Sequence, residues 1–242
     1  MLPKEALMTA TEVQQDDDGV QVLPFYIVLD ESGSMAGASI QAVNDALPEL
    51  WSAIAADPNV DAKTRVSIIT FTDDATVLVP LTEMSKLPSM PGVSAKGATS
   101  FGAAFRLLRT TIENDMRDLK NQGLQRIRPV CFFISDGEPT DPATWKSEFN
   151  KLVDPSFKFA PVIIAFGVAG ATAKTIKEIA TPYKGRVYGY LMDDGQSPGP
   201  VLREIIDSLT QSIVNSARSE NPTLVVPTNV PGTIELGVID DD

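Results

Sequence analysis

One carboxylate and two hydroxyls stand at alternate positions in the stretch Leu29-Asp30-Glu31-Ser32-Gly33-Ser34-Met35. In an extended or gently turning segment alternate side chains share a side. Asp30, Ser32 and Ser34 can therefore converge on one point, with Gly33 letting the chain bend. Hard oxygen donors of this kind suit Mg²⁺, Mn²⁺ or Ca²⁺ rather than zinc. Ser and Asp ahead of a helix also act as capping groups, and the triplet alone leaves both readings open. Two further segments carry similar donors. Lys96-Gly97-Ala98-Thr99-Ser100-Phe101-Gly102 is a Gly-rich turn with hydroxyls that runs into a helix, where capping is again the alternative. In Ile134-Ser135-Asp136-Gly137-Glu138-Pro139-Thr140-Asp141 a carboxylate follows a wholly apolar run, and Gly137 turns the chain.

The elements that must position these residues alternate along the chain. Val20 to Leu29 reads as a strand, and Ile40, Val43, Leu47, Leu50 and Ile54 then recur at helical spacing. Pro48 lies inside that pattern and should kink or break the helix, since it lacks an N–H and clashes with the preceding turn. Arg65 to Phe71 and Ala75 to Leu81 read as two strands joined by a hairpin at Thr72-Asp73-Asp74. After a loop rich in Pro and Gly, a helix runs from about Phe101 to about Asn121. Val130 to Ser135 is continuously apolar, as in a strand buried on both faces of a parallel sheet. Asp141-Pro142 opens a helix, Pro161 to Val168 is a buried strand, and Thr172 to Ala180 is a short helix. Arg186 to Met192 is a strand and Val201 to Ala217 the last helix. This order implies an α/β fold: a mainly parallel six-stranded sheet, one antiparallel edge strand and helices on both faces. Ligands of such sheets bind at the carboxyl ends of strands, where the strand order reverses. Asp30 and Asp136 both follow strand ends, so they face one crevice.

Composition narrows the chemistry. The chain has 242 residues and a hydrophobic fraction of 43%, which suits one α/β domain with a real core. A net charge of −12 argues against a nucleic-acid partner, because phosphate neutralisation needs a basic surface. The sequence has no histidine, which removes Ser-His and Cys-His nucleophile systems, His-ligated zinc and His general bases. The single cysteine, Cys131, excludes an internal disulfide and sits in an apolar run, so it reads as a core residue. Met1 to Gly19 holds Asp16-Asp17-Asp18 and no apolar stretch of signal-peptide length. No apolar run is long enough to span a membrane. A cytoplasmic protein without membrane contact is the expectation.

Together the three donor segments resemble the von Willebrand factor A (vWA) domain and its metal-ion-dependent adhesion site (MIDAS). That site has the pattern Asp-x-Ser-x-Ser, then a distant Thr, then a distant Asp. Asp30, Ser32, Ser34, Thr99 and Asp136 supply all five in order. The resemblance covers roughly residues 20 to 217 and implies the Rossmann-like vWA fold. Within the family the sequence is similar to bacterial intracellular TerY-like proteins linked to tellurite and stress resistance. Ile68-Ile69-Thr70-Phe71, Val79-Pro80-Leu81-Thr82-Glu83 and Ser135 to Asp141 carry that likeness. The resemblance implies that Ser32 and Ser34 ligate an ion directly and that Thr99 does so directly or through water. Asp30 and Asp136 would act mainly through waters that they orient. It also implies a partner protein that gives an Asp or Glu to the ion.

The expected function is thus a metal-dependent protein-interaction module, not an enzyme, and a monomer when free. The alternative is a Mg²⁺-dependent phosphohydrolase. The haloacid dehalogenase type needs a second carboxylate two residues after the first, where this chain has Ser32, and the chain has no phosphate-binding Gly-x-x-x-x-Gly-Lys loop. Glu31 and Glu138 are the only general bases near the site and read as solvated rim charges. Asp193-Asp194-Gly195 reads as a turn rather than a second cation site. The expected organisation is an N-terminal extension (1–19), a domain (20–218) and a C-terminal tail (219–242). In the tail, Thr223 to Val226 and Thr233 to Val238 can pair as strands. It is too short for a core of its own and is expected to pack along the domain or serve a partner. Asp240-Asp241-Asp242 reads as a frayed, solvated end.

Overall fold

The structure is a computed structural model and describes residues 19–237. The expectations for Asp16-Asp17-Asp18 and Asp240-Asp241-Asp242 lie outside the described residues. Among the described residues ten strands form: β1 (Gln21–Asp30), β2 (Thr64–Phe71), β3 (Ala75–Thr82), β4 (Gln125–Arg126), β5 (Val130–Ser135), β6 (Val162–Gly167), β7 (Pro182–Tyr183), β8 (Arg186–Val187), β9 (Gly189–Met192) and β10 (Thr233–Glu235). The helices are α1 (Ala38–Ala55), α2 (Pro58–Lys63), α3 (Phe101–Asn121), α4 (Trp145–Val153), α5 (Ala173–Ile179) and α6 (Pro198–Ala217).

The main sheet has the order β10-β9-β6-β5-β1-β2-β3, with β4 paired to the start of β1; β7 and β8 form a separate small hairpin. The five inner strands are parallel, while β3 and β10 run antiparallel at opposite edges. The fold is the expected α/β type. The second antiparallel edge comes from the segment after Ala217, where Thr233–Glu235 pairs with Tyr190–Met192.

Alternation along the buried strands divides the core into two layers. Leu23, Phe25, Ile27 and Leu29 of β1 face one layer with Phe132 and Ile134 of β5, under α1 and α6. Tyr26 and Val28 face the other with Cys131 and Phe133, under α3, α4 and α5. α1 runs through Pro48 without a break, its buried Val43, Ala46, Leu47, Leu50 and Ile54 holding it to the sheet on both sides of the proline. The burial of that face outweighs one lost backbone hydrogen bond.

The segment after α6 lies along the domain. Leu224 and Val230 are buried in the α1/α6 layer. The Ser216 hydroxyl accepts from the Val225 N–H at 2.8 Å, and Ser212 Oγ donates to the Val225 carbonyl at 2.5 Å. Tyr190 Oη donates to the Pro227 carbonyl at 2.5 Å.

Candidate metal centre

The chain leaves β1 toward β2 and β3 on one side, then crosses back through α3 to β5 on the other. The order therefore reverses between β1 and β5, and a crevice opens at their carboxyl ends. Asp30 ends β1, and Asp136 follows β5 directly. Leu29 is in register with Ile134, so the next residues, Asp30 and Ser135, are brought side by side.

Four of the five residues singled out from sequence form one hydrogen-bonded chain. Ser32 Oγ and Ser34 Oγ are 3.0 Å apart, and Ser34 Oγ donates to Asp136 Oδ1 at 2.8 Å. Asp30 Oδ1 accepts from the Ser32 N–H at 2.8 Å, which fixes the turn that carries both serines. Thr99 is placed next to the Asp136 loop: a Cβ at Gly137 would lie 3.9 Å from Thr99 Oγ1. Its carbonyl accepts from the Thr140 N–H at 2.9 Å. Asp30, Ser32, Thr99 and Asp136 are buried, and Ser34 is the exposed member.

Backbone bonds hold the Thr99 loop against the serine turn. Lys96 donates its N–H to the Glu31 carbonyl at 2.8 Å, and Gly33 donates to the Gly97 carbonyl at 3.0 Å. Gly97 has a φ of +66°, and a Cβ there would collide with the Asp73 carboxylate. Only glycine serves this crossing.

Sequence reasoning missed Ser135. Its fully buried hydroxyl donates to Asp30 Oδ2 at 2.6 Å. Both carboxylate oxygens of Asp30 are thus already engaged. The period-two pattern could have placed Ser135 beside Asp30 once β1 and β5 were known to be neighbours.

Two acidic residues, Glu31 and Asp141, differ from their sequence reading. Glu31 is buried rather than solvated, with Lys96 Nζ 3.7 Å from its Oε1. Glu138 is exposed at the rim, and it also holds the start of α5, accepting from the Thr172 N–H at 2.9 Å and from Thr175 Oγ1 at 2.5 Å. Asp141 does not open α4, which starts at Trp145. Instead it accepts from the N–H groups of Phe101 and Gly102, at 3.1 and 2.9 Å, and caps α3 across the chain. Asp193-Asp194-Gly195 is a turn, with Gly195 at φ +81° and the Asp194 N–H donated to Asp193 Oδ1 at 2.9 Å.

The two carboxylates sit in an electrostatically unfavourable setting. Burial pushes the Asp30 carboxyl up to about 6, against the opposing hydrogen bonds from Ser135 and Ser32, and the nearby Asp136 adds to the rise. Burial likewise raises Asp136, against bonds from Ser34 and Ser32. Among the described residues no Lys or Arg lies within ion-pair distance of either carboxylate. Two desolvated carboxylates ringed by hydroxyls, with no cationic side chain, fit a hard divalent ion. The described residues hold no cluster of three or more Asp, Glu, His or Cys suited to a metal, so hydroxyls must complete any ligand set here.

The family model for the von Willebrand factor type A domain matches residues 25–207. The chain belongs to the von Willebrand factor type A family. Solved structures share the fold. The pilus adhesin SpaC from Lactobacillus rhamnosus GG, in its open conformation, superposes with a TM-score of 0.62 at 13% identity, over 81% of this chain and 30% of that one. A von Willebrand factor type A protein from Catenulispora acidiphila gives 0.56 at 14% identity, over 81% and 43%. Proximal thread matrix protein 1 from the mussel byssus, with a zinc occupied MIDAS motif, gives 0.51 at 17% identity, over 81% and 48%. This vWA chain thus spans less than half the length of these neighbours. No curated protein matches it. vWA domains are commonly metal-dependent interaction modules and generally not enzymes.

Proposed function

We propose that Asp30, Ser32, Ser34, Thr99 and Asp136 form a MIDAS that holds one Mg²⁺ or Mn²⁺, with Ca²⁺ as a further candidate, and that this site captures another protein. The observation that carries the reading is the chain of contacts from Ser32 through Ser34 to Asp136, which joins segments about a hundred residues apart at the reversal of strand order. The Ser32, Ser34 and Thr99 hydroxyls would face the ion as neutral donors. Asp30, with both oxygens bonded inside the protein, orients the Ser32 turn instead. An ion held mostly by neutral ligands keeps positive charge for a carboxylate from outside. Ser34, the exposed member, marks the side from which an Asp or Glu of the partner would arrive.

The same contacts weigh against the phosphohydrolase reading. An Asp30 whose two oxygens are taken by Ser32 and Ser135 is poorly placed to attack phosphorus. Glu138 has both oxygens on α5, and Glu31 faces Lys96, so neither is poised as a base. The TerY-like, intracellular assignment, and with it a role in tellurite or stress resistance, rests on the sequence stretches named above. Among the described residues no helix is long and apolar enough to cross a membrane.

A pull-down from lysate, followed by affinity measurement with and without chelator, tests the proposal. Capture should vanish in EDTA, return with Mg²⁺ or Mn²⁺, and depend on one acidic residue of the partner. Thr99→Ala should weaken capture more than it lowers the melting temperature. A partner that binds equally well in EDTA, or to Asp30→Ala, would show that recognition uses another face.

A further inference from the structure

An open hollow of about 570 Å³ lies at the pole of the sheet opposite the metal centre, beside the amino-terminal ends of β5 and β6. Arg126, Arg128 and Lys158 line it. Among the described residues, none of these three cations lies within ion-pair distance of a carboxylate. The nearest acid in sequence, Asp154, is turned onto Ser156, accepting from its N–H at 2.7 Å. Arg126 Nη1 donates to the Met116 carbonyl at 2.7 Å. Arg128 donates from Nε to the Ala160 carbonyl at 2.9 Å and from Nη2 to the Pro161 carbonyl at 3.1 Å. Carbonyl partners fix the two guanidinium groups and leave their charge uncancelled. In a chain of net charge −12 the hollow is a local reversal of sign.

The chain enters the fold beside this hollow. Pairing with β4 begins ahead of β1: the Val20 carbonyl accepts from the Gln125 N–H at 3.0 Å, and the Val22 carbonyl from the Ile127 N–H at 3.0 Å. Gly19 lies against the same segment, and a Cβ there would stand 2.6 Å from the Gly123 carbonyl oxygen. Val22 is in register with Arg126. Both turn to the α3 side of the sheet, Val22 into the apolar layer and Arg126 onto the Met116 carbonyl. In the sequence, Asp16-Asp17-Asp18 stands immediately before Gly19. Three residues reach at most about 10 Å when extended, enough to pass from Gly19 to the neighbours of Gln125. Asp16 and Asp18 share the parity of Val22, the one that faces the hollow in an extended chain. Lys63 is the competing cation, since it lines another hollow together with Gly19. Glu220 shares that second lining, and Lys63 Nζ already donates to the Ser219 carbonyl at 2.8 Å.

We propose that Asp16-Asp17-Asp18 docks on Arg126, Arg128 and Lys158. The occupant of the hollow is then the chain's own acidic run, matched to it in charge and delivered to it by the position of Gly19. The contact fastens the segment ahead of β1 at the pole away from the metal centre. It is electrostatic and needs no divalent ion.

The test is zero-length cross-linking of the full chain, in EDTA, with a carbodiimide that joins a carboxylate to an amine only where the two touch. Peptide mass spectrometry then reads the links. Lys158 should be joined to Asp16, Asp17 or Asp18. The yield should fall at least about 5-fold in 1 M NaCl, where screening acts within about 3 Å. Arg126→Gln with Arg128→Gln should lower it too, because guanidinium groups attract the acidic run without reacting themselves. Those arginines also brace carbonyls, so Lys63→Gln is the second variant, and it should leave the Lys158 link unchanged. A mixture of isotope-labelled and unlabelled protein separates links within one chain from links between copies. The proposal is overturned if Lys158 gains no link to the acidic run, or if Lys63 takes that link instead. Links that run only between copies, or a yield that high salt leaves unchanged, would overturn it as well.

Discussion

Ser135 donates its hydroxyl to Asp30 across two neighbouring parallel strands, at 2.6 Å and out of reach of solvent. The bond fixes the carboxylate that in turn fixes the Ser32 turn. Ser135→Ala should therefore weaken Mn²⁺ binding about 10-fold, less than the complete loss expected for Asp30→Ala or Asp136→Ala. It should also cost about 1–3 kcal/mol of stability by leaving a buried acceptor short of a donor. Calorimetry with Mn²⁺ and urea unfolding of the same variant read the two effects. A Ser135→Ala protein with wild-type Mn²⁺ affinity would remove Ser135 from the site.

Stability should depend on pH in a way that a cation partly cancels. Burial pushes Asp30 and Asp115 up to about 6, Asp115 against a 3.0 Å hydrogen bond from the buried Tyr26 hydroxyl. In the unfolded chain both titrate near 4, so between about pH 4 and 6 the folded state holds protons that the unfolded state releases. The stability associated with the two protonated groups is present below pH 4 and is lost as pH rises through 6. For Asp30 the loss is on the order of 3 kcal/mol. Saturating Mg²⁺ should lift the Asp30 share and leave the Asp115 share, which Asp115→Asn removes. Urea unfolding from pH 4 to 7.5, with EDTA and with Mg²⁺, separates them; parallel curves would mean that Asp30 does not feel the ion.

Asp141 is expected to matter through α3. Replacing it by Ala strands the N–H groups of Phe101 and Gly102 at the start of a 21-residue helix, leaving only the Ser100 cap on Ala103. The loss should be about 1–2 kcal/mol, in the range of a deleted helix cap. Gly102→Ala should act in the same direction, because the new Cβ would push the Asp141 carboxylate away. Thermal melts of both variants and of the double mutant check this. Additive losses would show that the two changes do not act on one contact.

Truncation after Arg218 should destabilise the domain severely. It uncovers the edge of β9, removes Leu224 and Val230 from the α1/α6 layer, and leaves the Tyr190 hydroxyl without its acceptor. Burial of the two apolar side chains alone corresponds to at least about 3 kcal/mol. A broad, low thermal transition is expected. A sharp transition at the full-length temperature would show that the segment contributes nothing to the fold.

The fold was legible wherever one stretch of sequence carried its own periodicity. α3 and β5 have the boundaries that apolar spacing gives, and β1 is displaced by one residue. The five candidate residues came from a family pattern rather than from local spacing, and the structure joins Asp30, Ser32, Ser34 and Asp136 by hydrogen bonds, with Thr99 beside them. What was not legible depends on pairing between distant segments. Ser135 gains meaning only from lying beside Asp30. Asp141, followed by Pro142, carries the sequence mark of a helix start, yet it caps a helix that begins 40 residues earlier. Glu138 is the exposed charge the sequence suggests, but its hold on Thr172 and Thr175 at the start of α5 was hidden because those partners lie more than 30 residues on. Pro48 misled in the opposite sense, since its local penalty is outweighed by packing that the local sequence does not show.

Asp136 sits on a loop tied down at several points: Glu138 to α5, Asp141 to α3, the Thr140 N–H to Thr99, and the Asp136 carbonyl to the Gly170 N–H at 2.9 Å. Anyone redesigning this domain to recognise a chosen target should leave that loop alone, because changes at Glu138 or Asp141 would loosen a helix along with the loop. The exposed turn at Asp193 to Ser197 leaves the same end of the sheet, and its side chains are open to solvent. It is the place to build a combinatorial library, where diversity can be selected without dismantling the scaffold that displays it.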